Sequence, residues 1–235
     1  MQSFLRSSFR FRSFAFALFA LVLGCSLQAA PGTLKKFTGR IETCEAILRE
    51  IQSDPQLAIP AGVLRQAKAL VVVNQVKGGL VLGLQYGYGV ALARHADGSW
   101  SVPVFIKAGE ASLGLQLGAQ RIETVYVLND VATVRKLFNG RMNIGVDARA
   151  VAGPRLYEAE KVNADMLANP VLVYGRNRGY YAGATVKTGW LDRDDPANWD
   201  YYETPYVLPE LLYGDFVKAP AAVRPLVDFV TSIAR

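Results

Sequence analysis

Basic and aromatic side chains are concentrated in the second half of the chain in a pattern that suits phosphate binding. Arg176 and Arg178 occupy positions i and i+2 of a predicted tight turn, RNRG, so their side chains can project from the same side. A guanidinium group holds phosphate oxygens through its planar fork, and tyrosine rings favour membrane interfaces. Solvated arginines and ordinary sheet tyrosines are the alternative interpretation. The predicted lipid-binding residues are Arg149, Arg155, Arg176, Arg178, Lys187, Tyr180 and Tyr181.

Residue types that catalyse reactions are scarce. His95 is the single histidine, which rules out a multi-histidine metal site, and no Gly-x-Ser-x-Gly nucleophile motif is present. Carboxylates for glycoside hydrolysis or calcium binding would have to come from residues 192–200. Four aspartates lie there: Asp192, Asp194, Asp195 and Asp200. Roles as helix caps or solvated turn charges explain their presence better than catalysis or metal binding does. The sequence therefore predicts no enzyme, cofactor or metal site, with a hydrolase built on this acidic loop as the weaker alternative.

The N-terminal segment is typical of an export signal. Arg6, Arg10 and Arg12 precede ten apolar residues, 14–23, which are too few to span a bilayer. Val22-Leu23-Gly24-Cys25 resembles a bacterial lipobox, in which Cys25 is acylated and becomes the new N-terminus. This predicts a lipid-anchored envelope protein facing the periplasm. Cleavage before Ala30 is the alternative, and it predicts a soluble periplasmic protein.

The composition indicates one globular domain. The chain has 235 residues, of which 51% are hydrophobic, and loss of the three leader arginines lowers the formal net charge from +6 to +3. A mild positive charge without a zinc-finger motif or a lysine-rich stripe gives no indication of nucleic-acid binding. Beyond the leader only Cys44 remains, so an intramolecular disulfide is excluded.

A glycine-rich block dominates the first half of the chain. Residues 77–118 contain nine of the 21 glycines among apolar and aromatic residues. Glycine weakens a strand, so this density favours strands that bend, bulge or approach another backbone closely. The expected fold is α+β, with a glycine-bent, mainly antiparallel sheet or barrel-like core and peripheral helices. The glycines expected at bends, bulges or close contacts are Gly83, Gly87, Gly89, Gly114 and Gly118.

The hydrophobic periodicity predicts the order of the elements. An amphipathic helix over 33–53 either lies on the sheet or lies on a membrane surface through Lys35, Lys36 and Arg40. Residues 156–168 are ambiguous, and 189–206 are expected to form a polar, aromatic loop. The remaining predicted helices cover 61–68, 131–138, 207–213 and 220–233. The predicted strands cover 69–73, 80–85, 88–94, 100–107, 112–119, 124–128, 143–150, 171–175 and 180–188.

An ordered set of motifs extends across residues 59–213. It consists of Ala67-Lys68-Ala69, the glycines from Gly79 to Gly89, Trp100-Ser101-Val102-Pro103, Gly114-Leu115-Gln116-Leu117-Gly118, Gly153-Pro154 and the run from Tyr174 to Gly183. This set resembles the SYLF domain, the lipid-binding family that includes the yeast Ysc84 type. In this sequence the family's Tyr-Ser step is Tyr174-Gly175, and its late Tyr-Gly is replaced by Tyr201-Tyr202-Glu203.

The resemblance implies a non-enzymatic protein that binds anionic phospholipid or phosphoinositide-like headgroups. For an exported bacterial protein, phosphatidylglycerol or cardiolipin is the expected lipid. The corresponding domain organisation is a signal peptide over 1–29, an amphipathic helix within 30–58 and a SYLF-like domain over 59–235. The alternative function is a structural or protein-interaction lipoprotein that packs against another envelope protein.

Overall fold

One mixed sheet with helices packed around it forms the described part of the chain. The computed structural model describes residues 31–78, 82–113, 120–175 and 189–235. Within these residues the strands are β1 (Ala69–Gly78), β2 (Leu82–Ala93), β3 (Val104–Leu113), β4 (Gln120–Leu128), β5 (Met142–Ile144), β6 (Ala150–Ala152), β7 (Val171–Gly175) and β8 (Gly189–Arg193). The α-helices are α1 (Pro31–Ser53), α2 (Ala61–Gln66), α3 (Val131–Lys136), α4 (Ala164–Leu167), α5 (Asp195–Tyr202), α6 (Leu208–Tyr213) and α7 (Arg224–Ile233). Short 3₁₀ helices cover Leu137–Asn139, Leu156–Lys161 and Ala221–Val223.

The sheet is curled into a nearly closed barrel. Its strand order is β5-β8-β3-β2-β1-β4-β7-β6, and only the β6–β7 pair is parallel among the described strands. The two edge strands, β5 and β6, are joined by residues 145–149 alone. A flat sheet of this order would separate its edges by about 34 Å, whereas so short a connection spans at most about 20 Å. The sheet must therefore curve, which confirms the predicted α+β class with a barrel-like core.

Close backbone approach accounts for two of the glycines in the block. A Cβ added at Gly87 of β2 would lie 2.6 Å from Gln75 Cα of β1, and one at Gly89 would clash with the Val72 backbone carbonyl oxygen. Both contacts are too close for a Cβ, so only glycine fits at these two positions without backbone movement. The prediction of close contacts is confirmed at these two positions. Gly114 and Gly118 lie outside the described residues.

Helix α1 packs its apolar stripe onto the sheet, the first of the two arrangements predicted for it. Phe37, Ile41, Leu48 and Ile51 are buried, and Phe37 contacts the Phe105 ring of β3 at a centroid distance of 5.1 Å. Burying each large apolar side chain is worth roughly 2 kcal/mol. Detaching all four would cost roughly 8 kcal/mol, which is comparable to the total stability of a typical domain. The helix is therefore part of the folded core.

Residues 189–206 do not form the polar loop that the sequence predicts. They form β8, which pairs with β3 and β5, followed by α5. Leu191 is buried opposite Ala108, and Asp194 followed by Pro196 marks the start of α5. An aspartate N-cap with proline in the first turn is a recognised helix start. The aromatic character of this segment obscured that signal.

Other segments differ from the expected elements in their extent. The expected strand 143–150 is divided into β5 and β6 by a turn in which Gly145 has a φ of +88°. The expected strands 80–85 and 88–94 form the single strand β2. The ambiguous segment 156–168 forms a 3₁₀ helix and α4. The expected strand 180–188 lies outside the described residues.

Cys44 should be chemically inert in the folded protein. It is fully buried between α1 and the sheet, and burial raises the pKa of its thiol to about 12. Because the thiolate is the reactive form, we expect no labelling by iodoacetamide at pH 8 until the protein is unfolded. Mass spectrometry of native and urea-treated protein measures this directly. Rapid labelling of Cys44 under native conditions would contradict the packing of α1.

Candidate functional site

A charged cavity opens on the face of the sheet that α1 partly covers. It has a volume of about 330 Å³. Lys107 lies directly opposite Tyr88 in the strand register, and Tyr88 lies opposite Asn74, so the three side chains share one face. Two residues further along the strands, Arg121, Val76 and Tyr86 form a second row. The residues lining this cavity are Arg40, Asn74, Val76, Tyr86, Gly87, Tyr88, Lys107, Arg121 and Asp194.

Three cations and one carboxylate line the charged cavity. Asp194 lies 3.1 Å from Lys107 Nζ and 3.6 Å from an Arg40 guanidinium nitrogen, with its side chain only 12% exposed. Arg121 is exposed, and within the described part of the chain it makes no salt bridge. The lining residues therefore carry a net positive charge. An anionic group entering the cavity would meet Arg121 directly and would compete with Asp194 for the other two cations.

Aromatic packing fixes the position of Arg40. Its guanidinium carbon lies 4.9 Å from the centre of the Tyr88 ring and 5.3 Å from that of Phe37. Such cation–π contacts hold a guanidinium without neutralising its charge. The Tyr88 hydroxyl in turn contacts the Asn74 amide nitrogen at 3.2 Å. Arg40 is therefore held in place by neighbouring side chains on the sheet and on α1.

Exposed apolar side chains line the rim of the cavity. Val76 is 53% exposed and Tyr86 is 61% exposed. Tyr86 lies 6.3 Å from the Trp190 ring, and the Arg141 guanidinium lies 4.0 Å from the centre of that same ring. A rim that combines cations with amphipathic aromatic rings suits the boundary between headgroups and acyl chains.

The structure places Arg149 and Arg155 away from the charged cavity. Arg149 is exposed just before β6, an edge strand separated from β1 by β4 and β7. Arg155 donates a hydrogen bond to the Gln56 carbonyl at 3.0 Å, which ties the 3₁₀ helix to the end of α1. Neither residue lines the cavity. Arg155 therefore has a structural contact, and Arg149 is an exposed surface cation.

The other predicted site residues lie outside the described residues. They are Arg176, Arg178, Tyr180, Tyr181, Lys187 and the lipidation candidate Cys25. Their contribution to lipid binding or anchoring stays a prediction. The flanking residues Gly175 and Gly189 pair with Thr124 of β4 and Glu110 of β3.

Sequence reasoning missed the residues of the charged cavity. Lys107 interrupts the apolar run Val104-Phe105-Ile106, and a charge within a buried strand was the one available signal. For Arg40, the sequence pattern indicates only a candidate membrane contact of the helix. Their proximity to Arg121 and Asp194 depends on strand register and on where α1 docks, neither of which the sequence specifies.

The four aspartates of the expected acidic loop do not converge on one site. Asp194 alone lines the charged cavity, and it forms ion pairs where a capping bond was expected. Asp195 pairs with Arg193 at 2.8 Å, and Asp200 is exposed. In the described ranges no group of three or more histidine, cysteine or carboxylate side chains is arranged to hold a metal. The geometry therefore offers no support for the hydrolase alternative.

None of the helices described in residues 31–235, outside the three internal gaps, combines the length and the apolar character needed to cross a bilayer.

Comparison with known proteins supports the resemblance seen in the motifs. Residues 109–233 match the family model Ysc84, which is described as a Las17-binding protein actin regulator. Protein YSC84 of Saccharomyces cerevisiae is 31% identical over 179 residues, covering 75% of this chain and 38% of the relative. An SH3 domain-containing protein of Schizosaccharomyces pombe is 31% identical over 180 residues, covering 75% of this chain and 42% of the relative.

Animal relatives show the same pattern of partial coverage. The SH3 domain-containing YSC84-like protein 1 of Homo sapiens is 28% identical over 192 residues, covering 79% of this chain and 56% of the relative. The chain thus spans about half or less of the length of the curated relatives it matches. No solved structure matches it. Because the family model covers more than half of the chain, the chain belongs to the Ysc84 family, whose shared unit is the SYLF domain.

Proposed function

We propose that this protein binds anionic phospholipid at a membrane surface and catalyses no reaction. The observation that carries the proposal is the charged cavity, which Arg40, Lys107 and Arg121 line together with the carboxylate of Asp194. Guanidinium and ammonium groups are strong donors to phosphate oxygens. Val76 and Tyr86 at the rim offer apolar surface to the adjacent acyl chains. The resemblance to a lipid-binding domain family supports the same conclusion.

The location proposed for this activity is the cell envelope. The N-terminal signal predicts export, with Cys25 acylated or with a soluble periplasmic product as the alternative. Phosphatidylglycerol and cardiolipin are the anionic lipids that such a protein would meet. The intact mass of membrane-extracted protein distinguishes an acylated Cys25 from an unmodified N-terminus at Ala30.

Vesicle co-sedimentation tests the lipid proposal. We expect the purified protein to sediment with vesicles that contain phosphatidylglycerol, and much less with vesicles of phosphatidylcholine alone. Binding should weaken at high salt, because Arg121 and Lys107 are partly exposed to solvent and salt screens exposed charges. Equal binding to both vesicle types, unchanged by salt, would contradict an electrostatic mechanism.

A protein-interaction role is the second candidate function. The family model is described by Las17 binding and actin regulation, which are properties of other proteins in the family. In this chain, a group of exposed aromatic side chains beyond the first turn of α5 favours such a role, since exposed apolar patches mark interaction sites. This surface is separate from the apolar rim of the charged cavity.

A further inference from the structure

An aromatic patch is exposed on the segment that joins α5 to the residues after α6. It consists of Trp199, Tyr206, Val207 and Phe216. The Trp199 indole nitrogen donates a hydrogen bond to the Tyr206 carbonyl at 3.1 Å, and the Tyr206 and Phe216 rings lie 5.1 Å apart. These contacts connect the patch into one surface. Phe216 is nevertheless 63% exposed, and Trp199 and Val207 are also exposed.

The segment that carries the aromatic patch is acidic. Residues 195–217 contain no lysine, arginine or histidine, and Lys218 is the first cation after them. Asp195 is neutralised by Arg193, which leaves four exposed carboxylates in this segment: Asp200, Glu203, Glu210 and Asp215. An anionic membrane would repel such a surface, so the patch does not suit the role proposed for the cavity rim.

The charge and the rings together specify a different occupant. Carboxylates around an apolar centre are complementary to a segment that carries both positive and aliphatic side chains. Arginine suits this surface better than lysine, because its planar guanidinium stacks on aromatic faces while pairing with carboxylates. The exposed rings of Trp199 and Phe216 provide such faces beside Asp200 and Asp215.

We propose that the aromatic patch is a docking site for an arginine-rich, aliphatic segment of a partner protein. The patch shares no residue with the lining of the charged cavity, and Trp199 lies about 7 Å along the α5 axis from Asp194. A membrane-bound molecule could therefore hold lipid through one surface and a basic partner through the other.

Fluorescence anisotropy with a synthetic peptide tests this proposal. The probe is a labelled twelve-residue peptide of arginine, leucine and serine, compared with two variants in which glutamate replaces arginine or serine replaces leucine. We expect the arginine–leucine peptide to bind, and each altered peptide to bind at least tenfold more weakly. Equal binding of both arginine-containing peptides would show unspecific charge attraction and would overturn the proposal.

Matched variants locate the binding surface. Phe216→Ser should weaken binding about tenfold, whereas Tyr157→Ser should leave it unchanged, since Tyr157 is also 63% exposed but lies on the 3₁₀ helix Leu156–Lys161. The double change Asp200→Asn with Asp215→Asn should weaken binding about tenfold at low salt. Its control, Glu160→Gln with Asp165→Asn, alters the net charge equally at exposed positions elsewhere. Equal losses in patch and control variants would overturn the proposal.

A vesicle measurement separates the patch from the lipid site. Phe216→Ser should bind phosphatidylglycerol vesicles as the parent protein does. If the variant instead loses vesicle binding while the peptide never binds, the patch is a membrane contact and the proposal is wrong.

Discussion

Replacing Lys107 and Arg121 together with glutamine should weaken binding to phosphatidylglycerol vesicles by about tenfold to thirtyfold. A basic side chain near an anionic surface contributes roughly 1 kcal/mol, and these two cations are the more exposed members of the charged cavity. Co-sedimentation at low salt measures the effect. The loss should shrink at high salt, where exposed charges are screened in the parent protein as well.

A matched variant controls for general loss of charge. Lys35→Gln with Lys36→Gln removes two exposed cations from α1 and should change binding much less. It also tests whether the helix itself contacts the membrane, which deletion of residues 33–53 cannot do because their apolar stripe belongs to the core. Arg176→Gln with Arg178→Gln tests the arginine pair predicted from the sequence. If vesicle binding is weakened only by the Arg176 and Arg178 change or by the Lys35 and Lys36 change, the charged cavity is not the lipid site.

Asp194→Asn gives an effect of the opposite sign. The carboxylate of Asp194 competes with an incoming phosphate for Arg40 and Lys107, so its neutralisation should strengthen binding to anionic vesicles several-fold. A purely structural role of these ion pairs predicts weaker binding and a less stable protein. Stronger binding together with a modest loss of thermal stability is the expected combination.

Asn198→Ala should lower the free energy of unfolding by about 3 kcal/mol. Asn198 is buried, its Oδ1 accepts a hydrogen bond from the Phe105 backbone N–H at 2.7 Å, and its Nδ2 donates to the Phe105 carbonyl at 3.2 Å. Alanine would leave a buried backbone N–H without a partner and would remove two of the hydrogen bonds that join α5 to β3. For a chain of this size, the melting temperature should fall by about 6–12 °C.

Urea denaturation and calorimetry measure this loss. Asn163→Ala is the control, because Asn163 is exposed and its side chain only caps the short helix α4 by accepting from the Met166 N–H. It should cost about 1 kcal/mol. A similarly small effect of Asn198→Ala would show that α5 is held mainly by its apolar contacts.

The sequence was sufficient to predict those helices and strands that are specified by residues close together in the chain. A continuous run of apolar, mostly β-branched residues predicts a buried central strand, as in Ala69–Val73 at the start of β1, and the helical spacing from Leu34 to Ile51 predicts α1. Asp130 and Gly140 bracket α3 and its 3₁₀ extension: the Asp130 side chain accepts from the Thr133 N–H at 2.6 Å, and Gly140 has a φ of +107°. The ordered motifs also identify the family.

Only the tertiary structure brings distant residues into the charged cavity. Arg40, Lys107, Arg121 and Asp194 come from four separate elements, and their meeting depends on strand register and on the docking of α1 and α5. A register shift of one residue would turn Lys107 to the opposite face of the sheet. A charge pattern along the chain shows only which charges are close in sequence. It therefore predicted a site at the arginines near residue 176, and it could not predict cations that come together only on folding. The sequence by itself therefore determined the family and the architecture, whereas the packing of helices against a curved sheet decided the site.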